Sequence, residues 1–151
     1  QIKGRFDHFN VNVTDLDRTE GFVVETQAAE LSRKTADDSS FVLVYLGDGQ
    51  TPFRLELTWL RDHTQAYELG ENESHLCVRV AGDYDRIRAY HRERGWICYE
   101  NHEMGLYFIH DPDDYWIEVL PVKNDHATGN RRGRPRAPVS YTHLTLPTTS
   151  R

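Results

Sequence analysis

The sequence predicts an α+β domain assembled from two similar halves. Three observations predict it. The order strand, helix, strands occurs twice within residues 1–123. One His and one Glu fall at matching places in each repeat. The chain, at 151 residues and 17.6 kDa, is long enough to bury a core without a metal or disulfide to hold it.

In the first half, Phe6–Val13 alternates, with Phe9, Val11 and Val13 opposing His8, Asn10 and Asn12, which reads as a strand. A polar helix is expected over Arg18–Ala29, then strands over Phe41–Leu46 and Phe53–Leu60. In the last of these, Phe53, Leu55, Leu57 and Trp59 oppose Arg54, Glu56 and Thr58. The second half repeats the order. His75–Val80 sets Leu76, Val78 and Val80 against His75, Cys77 and Arg79, and Tyr84–Arg94 carries Tyr84, Ile87 and Tyr90 at helical spacing. Strands follow at Leu106–His110 and Tyr115–Leu120, where Ile117 and Val119 oppose Glu118. Gly47-Asp48-Gly49 and Asp111-Pro112-Asp113-Asp114 have the residues of tight turns and join the last pair of strands in each half. Neither half, about 1–62 and 70–123, is long enough to bury both faces of its own sheet.

Charge separates this body from the remainder. Residues 1–123 hold 13 Lys and Arg against 23 Asp and Glu, net −10, and residues 124–151 hold 5 against 1, net +4. An acidic body excludes a phosphate-binding surface, so no nucleic-acid partner is expected. From residue 124 the chain is Pro- and Gly-rich without period, and disorder is expected there. Arg132-Gly133-Arg134-Pro135 resembles a minor-groove DNA-binding arm, a motif too short to carry a function. The stretch 139–151, VSYTHLTLPTTSR, resembles a translated sequencing adapter and carries no expectation of structure. No apolar run approaches 18 residues, no apolar leader is present, and Cys77 and Cys98 form no framework. These features predict a cytoplasmic protein without a membrane partner.

Side chains alternate across a strand, so one face of each sheet packs on the helices and the other presents polar groups. A curved sheet with that polar face turned inward would enclose a wet cavity. On it fall His8 and Glu56, 48 positions apart, and His75 and Glu118, 43 positions apart. A single strand His or Glu is more often structural or solvated, but recurrence at the same place in both halves is not predicted by that reading. Two imidazoles and two carboxylates without a thiolate suit Ni, Co, Mn or Zn in a site completed by water. His63, His91, His102 and His110 lack such partners and are expected at the surface; Cys77 is expected to line the site.

The quoted text resembles the glyoxalase I (lactoylglutathione lyase) group of the vicinal oxygen chelate superfamily. The matching segments are FDHFNVNVTDLDR at 6–18, FVLVYLGDG at 41–49, LELTW at 55–59, YELGENE at 67–73 followed by His75, and YFIHDPDDYWIE at 107–118. The resemblance implies paired βαβββ modules, a metal held by His8, Glu56, His75 and Glu118, a preference for Ni or Co with Zn as the third candidate, and a homodimer. It also implies isomerisation of the hemithioacetal of methylglyoxal and glutathione to S-lactoylglutathione, with Glu118 as the base and Glu56 as a ligand or assisting carboxylate. Three departures matter. The glycine that usually ends the first helix is absent from VVETQAAEL. Asp114 replaces the Gly of the last turn, which an Asp at positive φ tolerates. Asn12 and Leu60 stand where several glutathione-using relatives carry Arg and Asn, which leaves the thiol carrier open. Strand parity suggests Trp59, Trp116 and Arg54 at the substrate mouth.

Competing readings are an extradiol dioxygenase, opposed by the second carboxylate Glu56, and an epimerase acting beside a thioester carbonyl, whose relatives often carry Gln in one carboxylate place. A metal-free, drug-sequestering member would have no use for four intact donors.

Overall fold

A computed structural model describes residues 3–24 and 28–122; the expected tail from residue 124, with its Arg-Gly-Arg-Pro motif, lies outside them. The first half consists of β1 (His8–Val13), α1 (Leu16–Val24), β2 (Ala29–Thr35), β3 (Phe41–Gly47) and β4 (Arg54–Leu60). The second consists of β5 (Leu76–Val80), α2 (Tyr84–Glu93), β6 (Ile97–Asn101), β7 (Leu106–His110) and β8 (Trp116–Pro121). The fold is α+β, as the sequence predicts. Each half forms a four-stranded mixed sheet, in the orders β1-β4-β3-β2 and β5-β8-β7-β6. The first strand pairs parallel with the last in both, which requires the intervening helix and strands as a crossover.

Local chemistry sets the ends of the helices. Asp15 Oδ1 accepts from the Arg18 amide at 3.0 Å at the start of α1, and Asp83 Oδ1 accepts from the Arg86 amide at 3.1 Å at the start of α2. Helix α1 reaches Val24 rather than Ala29, and the residues that would show how it ends without the usual glycine, 25–27, lie outside the described ones. Strands β2 and β6 carry no alternation that a sequence reading detects. β2, AELSRKT, is exposed along its whole length at a sheet edge, so neither face selects for apolar residues. Asp114 has φ 70°, as expected of its turn.

One core joins the halves. Val11, Val13, Phe22, Val23, Val44, Leu46 and Leu57 from the first form a single cluster with Tyr107, Ile109 and Val119 from the second, and Phe22 meets the Trp96 ring edge-on at 4.8 Å. All these strand residues belong to the apolar faces, so the two sheets share their apolar sides and turn their polar sides away. Within one chain the polar faces therefore do not enclose the cavity expected from the pattern. The space between the halves is instead a small, mostly apolar pocket of about 40 Å³ walled by residues such as Val11, Phe22, Leu57 and Ile117. A polar clasp flanks it: Thr14 donates from its amide and hydroxyl to the Asp113 carboxylate, and Tyr115 donates from its hydroxyl to the Asn12 carbonyl at 3.0 Å. No helix among the described residues is long and apolar enough to cross a membrane.

Candidate metal centre

The two His–Glu pairs occupy matching register positions. In the first sheet Asn10 faces Glu56 across the parallel β1–β4 ladder, and His8 lies two residues before Asn10. In the second, Cys77 faces Glu118, and His75 lies two residues before Cys77. The two-residue period puts each His on the same face as its Glu. His8 Nε2 is 3.0 Å from Glu56 Oε2, and His75 Nε2 is 3.4 Å from Glu118 Oε2. An aromatic ring completes each pair edge-on: Tyr45 to His8 at 5.7 Å, and Phe108 to His75 at 5.0 Å. Tyr45 and Phe108 also match, each standing opposite the Glu of its own sheet.

The pairs do not meet. Among the described residues no three His, Cys, Asp or Glu side chains come together as a group able to hold a metal ion. The described residues thus hold two separate His–Glu pairs rather than the single four-donor cluster, and the shared apolar core explains why, since it turns the two polar faces apart.

The surroundings of the first pair are ionic. His8 Nδ1 lies 2.8 Å from Asp7 Oδ2, and Arg54 Nη2 contacts the same oxygen. Hydrogen bonds from His8 and then Arg54 hold the Asp7 carboxyl below its ordinary range. The Arg54 guanidinium lies 4.7 Å from the Tyr45 ring centre. Tyr45 stands opposite Glu56 across the β3–β4 ladder, where that carboxylate raises the proton affinity of the Tyr45 hydroxyl, and Thr58 Oγ1 donates to Glu56 Oε1 at 3.2 Å. Glu56 itself is buried, with 9% of its surface exposed. The second pair is softer: His75 Nδ1 faces only the Glu73 carbonyl at 3.2 Å. Desolvation and then a hydrogen bond to Glu118 push the Cys77 thiol up to about 11.

The donor set fits a divalent first-row ion. Nitrogen and oxygen ligands bound at about 2.1 Å in neighbouring positions lie roughly 3 Å apart, the separation found within each pair. A neutral His8 that gives its Nδ1 proton to Asp7 meets Glu56 lone pair to lone pair, a contact that a cation between them relieves.

Other expectations need correction. Trp59 packs against the core instead of the substrate mouth, because it shares parity with Leu55 and Leu57; Arg54 and Trp116 do lie on the polar faces. His91 is buried, with Nδ1 3.0 Å from the Tyr107 hydroxyl. Its place seven residues after Tyr84 puts it on the buried side of α2, a signal present in the sequence. His63 is half-buried and stacks on Tyr67 at 3.9 Å, while His110 pairs with Asp114 at 3.2 Å and exposed His102 lies 3.7 Å from Glu100. Tyr45 was hidden from sequence reading because the run FVLVYLG is apolar on both faces.

Comparison with known proteins agrees with this fold. No protein-family model matches the chain. A lactoylglutathione lyase of Neisseria meningitidis is 29% identical over 128 residues, spanning 80% of this chain and 92% of that protein. A probable lactoylglutathione lyase of Vibrio cholerae is 28% identical over 82% of this chain and 94% of its own. The solved structure of the trypanothione-dependent glyoxalase I of Leishmania major superposes with a TM-score of 0.69 at 30% identity, over 79% of this chain and 87% of that one. The chain belongs to the glyoxalase I group of the vicinal oxygen chelate superfamily. That membership accounts for the duplicated βαβββ order of this glyoxalase-like protein.

Proposed function

We propose that the protein is a metal-dependent lactoylglutathione lyase that isomerises the hemithioacetal of methylglyoxal and a thiol, and that it acts as a homodimer. The observation that carries this reading is the two register-matched His–Glu pairs on the faces turned away from the shared core. Half-buried aromatic residues, Tyr45 on one face and Tyr99 and Trp116 on the other, border them. Two copies related by a two-fold axis would bring His8 and Glu56 of one chain to His75 and Glu118 of the partner subunit, completing two identical sites.

His8, Glu56, His75 and Glu118 would hold a divalent ion, with Ni or Co favoured and Zn third. When bound, the ion supplies Lewis acidity toward the two neighbouring oxygens of the substrate. The reaction is redox-neutral within one molecule. A carboxylate takes the proton from the carbon bearing sulfur and hydroxyl and delivers it to the adjacent carbonyl carbon, while the hydroxyl proton passes to the former carbonyl oxygen, leaving a thioester. Glu118 suits this work as general base, since its neighbours are His75 and the weakly donating Cys77 thiol. Glu56, buried and held by Thr58, suits a fixed ligand. Neutral Asn10, Asn12 and Thr58 line the wall beyond Glu56 and would meet the thiol carrier.

The test reconstitutes the protein separately with Ni, Co and Zn and follows thioester formation from methylglyoxal with glutathione and with other low-molecular-weight thiols. Turnover with at least one thiol, dependent on added metal, is expected. Bound metal without turnover of any hemithioacetal would overturn the lyase reading.

A further inference from the structure

The two half-sites match in backbone register but differ in what supports them. The register equivalents of Asp7, Arg54 and Tyr45 in the second sheet are Ser74, Trp116 and Phe108, none of which carries charge. Around the first pair the three polar groups close a ring. Asp7 holds His8 at Nδ1, Arg54 holds Asp7, Tyr45 lies under the Arg54 guanidinium and edge-on to His8, and Tyr45 stands opposite Glu56 across the β3–β4 ladder. Asp7, Arg54, Tyr45 and His8 each touch the next, and His8 Nε2 lies 3.0 Å from Glu56, so the ring fixes the imidazole plane beside the carboxylate. A carboxylate on the far nitrogen of a ligating imidazole also settles its tautomer and raises its basicity, whereas the backbone carbonyl behind His75 carries no charge.

We propose that Asp7, Arg54 and Tyr45 are positioning residues that lock His8 and Glu56 as the rigid half of the metal site, leaving His75 and Glu118 as the half free to adjust during turnover. The inference rests on the metal-site reading above and extends it to side chains that touch the ligands and not the substrate. It also gives a physical reason for unequal roles of two carboxylates in symmetric positions: one is tied by its surroundings and the other is not.

The test is Co(II) binding by the intact protein, measured by competition with a chromogenic chelator and by the visible absorption of the bound ion. Asp7→Asn removes the charge shared by His8 and Arg54, and Tyr45→Leu removes the ring between Arg54 and His8. Each is expected to weaken Co(II) binding by about 10–100-fold and to alter the visible band. Unfolding midpoints of the metal-free variants should match the wild type, separating positioning from folding. Asp85→Asn, on the exposed side of α2, removes an equal charge away from the site and should leave affinity unchanged. Wild-type affinity and spectrum in both ring variants would overturn the ring while leaving the metal site standing. Failure of the wild type itself to take up Co(II) would overturn the metal-site reading and the ring with it.

Discussion

Glu56 and Glu118 stand at equivalent positions in their sheets, yet their surroundings assign them different work. Glu56 receives a hydrogen bond from Thr58 and is nearly enclosed, while Glu118 has a thiol and an imidazole beside it. Replacing Glu118 by Gln removes a proton acceptor without changing shape. The variant is expected to retain bound metal and lose about 10²–10⁴-fold in kcat, read from metal content and initial rates on one preparation. Near-normal turnover with metal bound would move the base elsewhere. The pairing of His8 with Glu56 and of His75 with Glu118 was legible in the sequence because His8, Glu56 and Glu118 lie on strands whose opposite face is apolar, and His75 extends the same two-residue period one residue before β5. Asp7 and Tyr45 were not. Asp7 precedes the first paired strand, where no alternation exists to read, and Tyr45 is embedded in a run that is apolar on both faces. Their roles depend on which side chains lie across the ladder, and that is a property of register.

The turn between β7 and β8 shows how one short segment serves both the sheet and the join between halves. Asp111 is buried and accepts the amides of Asp113 and Tyr115, each at 2.9 Å, while Asp113 reaches across to Thr14 at the head of α1. Burial raises the Asp111 carboxyl from 3.8 to about 6, with the neighbouring amides opposing it only in part. The folded state thus binds this proton more tightly than the unfolded chain. Its contribution to stability is full below about pH 4 and is lost as pH rises through about 6. Asp111→Asn keeps an oxygen for the two amides and removes that titration. Urea unfolding between pH 4 and pH 7 should then show the wild type losing about 2–3 kcal/mol more than the variant. Parallel curves would refute the assignment. Asp113→Ala leaves the Thr14 amide and hydroxyl without their acceptor, and is expected to cost about 1–3 kcal/mol in the same assay. At this scale the sequence was a good guide where residues impose a conformation, as at Asp114. It was poor at β2 and β6, where an exposed or irregular edge strand leaves no period: pairing shifts between Glu30 and Ser32 in one and between Ile97 and Tyr99 in the other.

For the whole molecule, alternation tells which residues share a face but not which faces meet. Both faces of each sheet carry apolar residues: Val11, Leu57 and Val119 on one side, Tyr45, Phe108 and Trp116 on the other. The chain resolves the choice by joining its halves through the more aliphatic sides, and this separates the His8–Glu56 pair from the His75–Glu118 pair. A four-donor site then requires a second copy, and that requirement can be tested by mixing two inactive variants. His8→Ala alone spoils both sites of a homodimer, and so does His75→Ala. When the two are unfolded together and refolded as an equal mixture, random pairing makes half the dimers mixed. Each mixed dimer has one site lacking both imidazoles and one site that is fully intact. Metal uptake and turnover should therefore recover to about a quarter of the wild-type value, from near zero in either variant alone. The recovered activity should co-elute with the dimer and vanish on dilution that dissociates it. If instead each chain completes its own site, every chain in the mixture still lacks one imidazole, and no ratio of the two variants restores activity.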